Sequence, residues 1–209
     1  MAISTYTELK SAVADFLNRD DLDSVIPTFI ALAEADINRS VRHWRMEERS
    51  SGQQSGGDQY MQIPADWVET IRMHVVGNGT SPINLASIAT IADKRASSED
   101  QAGVPTLYAH VRGEFELYPT PVEDTDIELV YYKKLDALGD SQASNWLLSE
   151  APDVYLYGTL LHSAPYLADD ARVAVWAQMY SAAVSNLIDS GEKAQYSGSG
   201  LKLKLRGMG

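Results

Sequence analysis

Four carboxylates near the middle of the chain are the residues best spaced for acid–base chemistry. Glu114 and Glu116 alternate along one predicted strand, and Asp126 and Glu128 alternate along another. Residues two apart in a strand share a face, and paired carboxylates can cleave a glycosidic bond or bind a hard cation. A glycan hydrolase is one interpretation. The alternative is a solvated outer face of a sheet, because the intervening residues are apolar: Phe115, Leu117, Ile127 and Leu129.

A third interpretation places the same carboxylates in a contact between copies of the chain. Like charges side by side repel each other unless cations face them. Arg72, Lys133 and Lys134 of a neighbouring copy could supply those cations.

The remaining sequence offers no catalytic motif. The four histidines (His43, His74, His110 and His162) are scattered, and none has the spacing of a metal-ligand pair. Nucleophile-elbow, phosphate-loop and dinucleotide motifs are missing from the sequence. The chain has no cysteine, hence no thiolate nucleophile and no cysteine-ligated metal. We therefore predict that the protein is not an enzyme and has no catalytic residue, metal ion or cofactor.

Helical periodicity marks both ends of the chain. Residues 1–46 predict two amphipathic helices, the first starting in a capping box formed by Thr5 and Glu8. Residues 147–197 predict further helices with apolar stripes. Because amphipathic helices must bury their apolar faces, we expect both segments to form one discontinuous helical domain.

Strand-like alternation marks the middle of the chain, residues 47–146. Residues 50–58 are rich in Gly, Ser and Gln and predict a loop or flexible hairpin tip within it. The sequence thus predicts an α+β fold: a helical bundle of N- and C-terminal helices, an inserted small antiparallel β region, and an extended C-terminal docking tail over residues 198–209.

The predicted tail differs from the rest of the chain in pattern and charge. Three leucines alternate with three cations: Leu201, Lys202, Leu203, Lys204, Leu205 and Arg206. In a strand, the leucines lie on one face and the cations on the other. Such a segment is suited to strand addition onto a partner sheet.

Composition and charge exclude several classes of protein. Hydrophobic residues make up 44%, as in globular proteins. The net charge of −12, from 17 basic and 29 acidic residues, argues against binding DNA by neutralising phosphates. No segment approaches the roughly 18 apolar residues of a membrane helix, and no signal peptide is recognised, so we expect a cytoplasmic protein without a membrane partner. The 11 Tyr and 4 Trp, against 3 Phe, favour an interaction protein.

Six segments resemble, in the same order, the head-to-tail adaptor family of tailed phages, specifically the tail tubular protein A-like connectors of short-tailed phages. The likeness extends from Ile3 to about Ser199. The segments are ISTYTELKSAVADFLNRDDL, IPTFIALAEADINRSVR, YMQIPADWVE, GEFELYPTP, IELVYYKK and NWLLSEAPDVYLYGTLLHSAPYL.

The resemblance implies a structural protein of the virion neck, at the capsid vertex, that assembles in the host cytoplasm. It implies a dodecameric ring of identical copies that joins the portal to the tail nozzle or tail tube. Genome DNA would pass through the lumen without sequence-specific binding, and an acidic wall would let it slide. Another ring-forming phage protein, a head-completion or tail-terminator protein, is the alternative.

Contact residues are expected from the resemblance and from the residue pattern together. Residues 201–206 are expected to bind the portal. Residues 50–58 are expected to contact a tail component or a neighbouring subunit. The helices within residues 151–188 are expected to form much of the ring interface. Subunit or tail contacts are predicted at Gln53, Gln54, Arg72, Glu114, Glu116, Lys133, Trp176 and Tyr180. For Trp176 and Tyr180 the alternative is packing in the core of the chain itself.

Overall fold

The structure is a computed structural model that describes residues 3–77, 81–97, 102–167 and 171–196. The chain divides into two compact units, one formed by Met1–Arg45 with Leu135–Gly209 and the other by Met46–Lys134. The elements in chain order are α1 (Tyr6–Leu17), α2 (Ile26–Ser40), a 3₁₀ turn (Trp44–Met46), β1 (Glu47–Gln54), β2 (Tyr60–Gln62), β3 (Trp67–Val76), β4 (Ser81–Leu85), α3 (Ile88–Ala96), β5 (Leu107–Val111), β6 (Glu114–Tyr118), β7 (Thr125–Lys133), α4 (Trp146–Glu150), α5 (Pro152–Leu167) and α6 (Val173–Tyr196).

The first helix begins in the predicted capping box. The Thr5 hydroxyl accepts the Glu8 N–H at 3.3 Å, and the Glu8 carboxylate accepts the Thr5 N–H at 3.0 Å. The helix ends at Asn18, whose left-handed φ of 54° is a conformation that asparagine tolerates at a helix C-terminus. Both ends of α1 are therefore set by local sequence.

The helical unit is organised around α5, which packs against α1, α2, α4 and α6. Its Val154, Tyr155 and Leu160 are fully buried. At Gly158 a side-chain Cβ would lie 3.0 Å from Tyr180 and 3.4 Å from the Ala33 Cβ. The absence of a side chain at this glycine lets α5 approach both α2 and α6 closely.

The second unit is built on a seven-stranded, nearly closed, barrel-like sheet with the strand order β1-β7-β3-β4-β5-β6-β2. Neighbouring strands are antiparallel except β4 and β5, which are parallel and are connected through α3. Alternate residues of the strands form its core, including Met73, Phe115, Leu117, Ile127 and Leu129. The inward direction predicted for the last four of these apolar residues is confirmed.

The predicted fold class, a helical bundle with a small antiparallel β region, is wrong. The protein is a mixed α/β structure with a seven-stranded sheet, and one strand pair is parallel. The error lies partly in residues 50–54, which were predicted as a loop. These residues belong to β1 and pair with β7, and the last pair is Gln54 opposite Thr125. An edge strand with solvent on one face needs no apolar alternation, because the neighbouring backbone supplies its hydrogen bonds. The predicted extended tail lies outside the described residues.

Candidate interaction surfaces

The carboxylate quartet is divided between two strands that are not neighbours. Glu114 and Glu116 lie on β6, whereas Asp126 and Glu128 lie on β7. In the strand order, β3, β4 and β5 lie between these strands on one side, and β1 and β2 on the other. The single cluster suggested by the sequence is therefore not formed. The hydrolase interpretation loses the cluster of four carboxylates, and each strand keeps one pair of its own.

Glu128 lies close to two arginines and a histidine from the strands that flank β7. Its carboxylate oxygens lie 3.6 Å from Arg49 Nη1, 3.4 Å from Arg72 Nη2 and 3.6 Å from His74 Nε2. The two arginine side chains are more than half exposed, so each ion pair contributes about 0–1 kcal/mol. The predicted contact residue Arg72 thus has a partner within its own chain.

Glu116 is held by Arg95, which sequence reasoning did not single out. Arg95 Nε lies 3.0 Å from Glu116 Oε1, and the guanidinium also donates to the Leu117 carbonyl at 2.8 Å and to Thr120 Oγ1 at 3.1 Å. It lies 5.4 Å from the centre of the Tyr118 ring. Arg95 therefore fastens α3 to β6. An arginine in the last turn of a short helix gives no sequence signal for this role.

Two predicted contact residues at the end of β1 differ in exposure. Gln53 is exposed and donates to Asp126 Oδ1 at 3.3 Å. Gln54 is buried, and its amide donates to the carbonyls of Asp58 at 3.0 Å and Tyr60 at 3.1 Å. The Gln54 side chain thereby links β1 to the start of β2, the strand at the opposite edge of the sheet.

The other predicted contact residues of this unit also have internal partners. The Gln62 amide donates to the Glu114 carboxylate. Lys133 Nζ lies 3.6 Å from Glu48 Oε2. Every predicted contact residue of the sheet unit is therefore engaged within the chain, and their role in contacts with other subunits stays a prediction.

The predicted contact residues of α6 face the interior of the helical unit. Trp176 is buried, and the Arg172 guanidinium lies 4.9 Å from the centre of its ring. The Tyr180 hydroxyl donates to Asp36 Oδ2 at 3.0 Å, joining α6 to α2. Burial, together with this bond to a carboxylate, raises the pKa of Tyr180. In the single chain both side chains serve helix packing.

A buried polar network crosses the same unit. Glu34 Oε1 accepts the Tyr155 hydroxyl at 3.0 Å and the Leu138 N–H at 2.8 Å. Asn145 donates to the Tyr155 oxygen at 2.6 Å and to the Asp136 carbonyl at 2.8 Å. Burial raises the pKa of Glu34, although both of its hydrogen bonds oppose the shift. The network ties residues 135–145 to α2 and α5.

A cavity of about 300 Å³ opens beside His43 in the helical unit. The ring stacks on Trp146 at 5.0 Å, and its Nδ1 accepts the Arg45 N–H at 3.2 Å. Burial lowers the pKa of His43, which disfavours the charged imidazolium. The cavity is also lined by Glu150, Ala151, Asp153, Ala183, Asn186, Leu187 and Ser190. Among the described residues, no group of three or more His, Asp or Glu side chains is placed to hold a metal ion.

Comparison with protein families supports the adaptor class of function. The family model described as SU10 adaptor protein matches residues 4–201. The chain belongs to the SU10 adaptor protein family. None of the curated proteins compared with it matches significantly.

Membership of the SU10 adaptor family confirms the predicted resemblance at the level of a phage adaptor. The protein is a structural component of the virion neck, where it contacts other phage structural proteins. In the part of the chain that the structure describes, no helix has the length and apolar character needed to cross a bilayer.

One end of the sheet unit of this SU10-family adaptor carries an exposed apolar pair that sequence reasoning missed. Val104 and Val122 are 57% and 65% exposed and line a cavity of about 270 Å³ with Glu123 and Asp124. The loop before β2 lies against this segment, where the Gly56 N–H donates to Asp124 Oδ1 at 3.0 Å. The loop was predicted over residues 50–58. In the structure, the segment between β1 and β2 consists of residues 55–59. We call the surface formed by Val104, Val122, Glu123 and Asp124 the valine tip.

The predicted portal-binding residues cannot be placed on either unit. Leu201, Lys202, Leu203, Lys204, Leu205 and Arg206 lie outside the residues that the structure describes.

Proposed function

We propose that this SU10-family adaptor forms a dodecameric ring that joins the portal to the tail nozzle or tail tube. In this role it resembles the tail tubular protein A-like connectors of short-tailed phages, and the ring surrounds the channel through which the genome leaves. The match of the family model over residues 4–201 is the observation that carries this proposal.

The net charge supports a passive role toward DNA. The chain carries 17 basic and 29 acidic residues, a net charge of −12. A ring of acidic copies repels phosphates, so DNA passes through its lumen without being retained.

We propose that the portal contact is made by residues 201–206, whose leucines and cations alternate. Strand addition onto a portal sheet would pair the backbone, and the two side-chain rows would supply specificity. The valine tip, with two exposed apolar side chains beside two carboxylates, is suited to the contact with a tail component.

The proposal is tested by mixing the purified chain with the portal protein of the same phage and measuring complex formation by size-exclusion chromatography. The full chain should co-elute with the portal, and a chain ending at Ser199 should not. Two matched variants separate the contribution of the leucines from that of the cations. One carries serine in place of the leucines at positions 201, 203 and 205, and the other carries glutamine in place of the cations at positions 202, 204 and 206. Normal portal binding by the truncated chain would refute the tail contact, and failure of the full chain to bind would refute the proposed function.

A further inference from the structure

The last helix has an unusual exposed side. Between Val173 and Ile188, α6 contains no Asp, Glu, Lys or Arg. Yet Val175 is 52% exposed, Met179 is 45% exposed, and Ala182 is exposed as well. The solvent side of a helix normally carries charged residues. Two large apolar side chains on an uncharged helix face indicate a surface that another protein covers.

These exposed residues form one continuous stripe. Val175, Met179, Ala182 and Asn186 follow each other at spacings of four, three and four, so they share one side of the helix. An α-helix turns by about 100° per residue, so Val175, Met179 and Ala182 lie roughly 100–160° from Tyr180 around the axis of α6. Because Tyr180 binds Asp36 of α2, the α6 stripe faces away from α2.

A second surface of this kind lies on α2. Its outward residues are Thr28, Ala31, Leu32, Ala35 and the exposed cation Arg39, and Leu32 is 46% exposed. Glu34 is buried in its network, and Asp36, one turn after Leu32, is bound by Tyr180 and lies 3.5 Å from Arg39. We call the five outward residues the α2 face. By contrast, the exposed side of α1 carries Asp15.

Charge favours a second copy of the chain as the partner of these surfaces. Two copies that each carry a net charge of −12 repel each other, and the repulsion is smallest at the uncharged α6 stripe and at the α2 face, where Arg39 adds a cation and the Asp36 carboxylate is paired. A basic partner, in contrast, would gain most by binding at the acidic surfaces. The alanines on both surfaces allow the helix axes to approach to about 8–10 Å.

We propose that copies of the chain associate head-to-tail, with the α6 stripe of one copy packed on the α2 face of the next. Two different surfaces that pair repeatedly give a heterologous contact, which closes into a ring when the rotation between copies allows it. This inference names the self-contact of the proposed ring and in that respect rests on the proposed function. Trp176 and Tyr180 were predicted as contacts on the same helix, but the contact uses the side of α6 that they leave exposed.

The absence of cysteine from the natural sequence allows a direct test by cross-linking. Chains carrying Met179→Cys and chains carrying Leu32→Cys are co-expressed, purified and treated with a short bismaleimide. Because each chain holds one thiol, a head-to-tail contact gives covalent dimers in the mixture and none in either chain alone. The matched control replaces Leu32→Cys by Ser11→Cys, an exposed position on α1, and should give no dimer.

Each other outcome overturns the inference. Dimers of the Met179→Cys chain alone would show a symmetric contact. An equal yield of dimers from the mixture with the Ser11→Cys control would show random collision. The absence of dimers would show that the two surfaces do not meet. As a second measurement, Met179→Glu should convert wild-type multimers to monomers in native mass spectrometry, whereas Ser11→Glu should not. Portal binding by a chain that gives no cross-link would refute this contact and leave the proposed function intact.

Discussion

Replacing Gly191 by alanine should destabilise the helical unit, although alanine is the better helix former. Gly191 is buried within α6, and a Cβ at this position would lie 2.5 Å from His43 Nε2. That distance is far inside van der Waals contact, so the ring or the helix must move. The ring is not free to move, because it stacks on Trp146 and accepts the Arg45 N–H.

The expected magnitude follows from two opposing effects. Alanine in place of glycine inside a helix gains about 1 kcal/mol. Overpacking a well-packed site costs about 1–3 kcal/mol, and the pinned His43 ring places Gly191→Ala at the upper end. We therefore expect a net loss of about 1–2 kcal/mol. At roughly 2–4 °C per kcal/mol for a chain of this size, the melting temperature should fall by several degrees.

A double-mutant cycle distinguishes this explanation from a general intolerance of substitution. Thermal unfolding is followed by circular dichroism for the wild type, Gly191→Ala, His43→Ala and the double variant. With the ring removed, Gly191→Ala should become stabilising by about 1 kcal/mol, because only the gain in helix propensity is left. A higher melting temperature for Gly191→Ala in the wild-type background would show that the His43 ring does not obstruct a Cβ at this position.

Two further predictions concern the internal polar contacts. Burial raises the pKa of Glu34 above its usual 4.5, so the folded state holds this proton more tightly than the unfolded chain. As the pH rises above about 4.5, the wild type should therefore lose stability relative to Glu34→Gln, measured by urea unfolding between pH 4 and 8; a pH-independent difference would contradict this. Arg95→Met leaves the largely buried Glu116 without its cation and should cost about 2–3 kcal/mol in the same assay. The matched variant Arg49→Met, at an exposed pair, should cost no more than about 1 kcal/mol, and equal losses would contradict the distinction.

Local signals allowed several elements to be predicted from sequence. The capping box at Thr5 and Glu8 fixes the start of α1, and apolar alternation places Phe115 and Ile127 in the core of the sheet. Both features depend on residues close together in the chain. The family resemblance was also accessible, because it depends on the order of local segments.

Long-range pairing explains what the sequence did not reveal. The polar strand β1 exists because β7, more than 70 residues later, supplies its hydrogen bonds. The sheet order that separates Glu114 from Asp126 likewise depends on which strands meet. On α6, periodicity identified a stripe with Trp176 and Tyr180, but the sequence does not tell whether the chain itself or a partner covers each side. The partners of Tyr180 and Glu34 lie on other elements.

Imaging the chain together with its portal tests whether the protein is a ring adaptor seated on the portal. Native mass spectrometry of the mixture gives the number of copies, and electron microscopy of the same sample gives their arrangement. We expect a single ring of twelve copies, coaxial with the portal and open along its axis. A chain that stays monomeric in the presence of portal, or binds it without forming a ring, would show that the protein is not a ring adaptor.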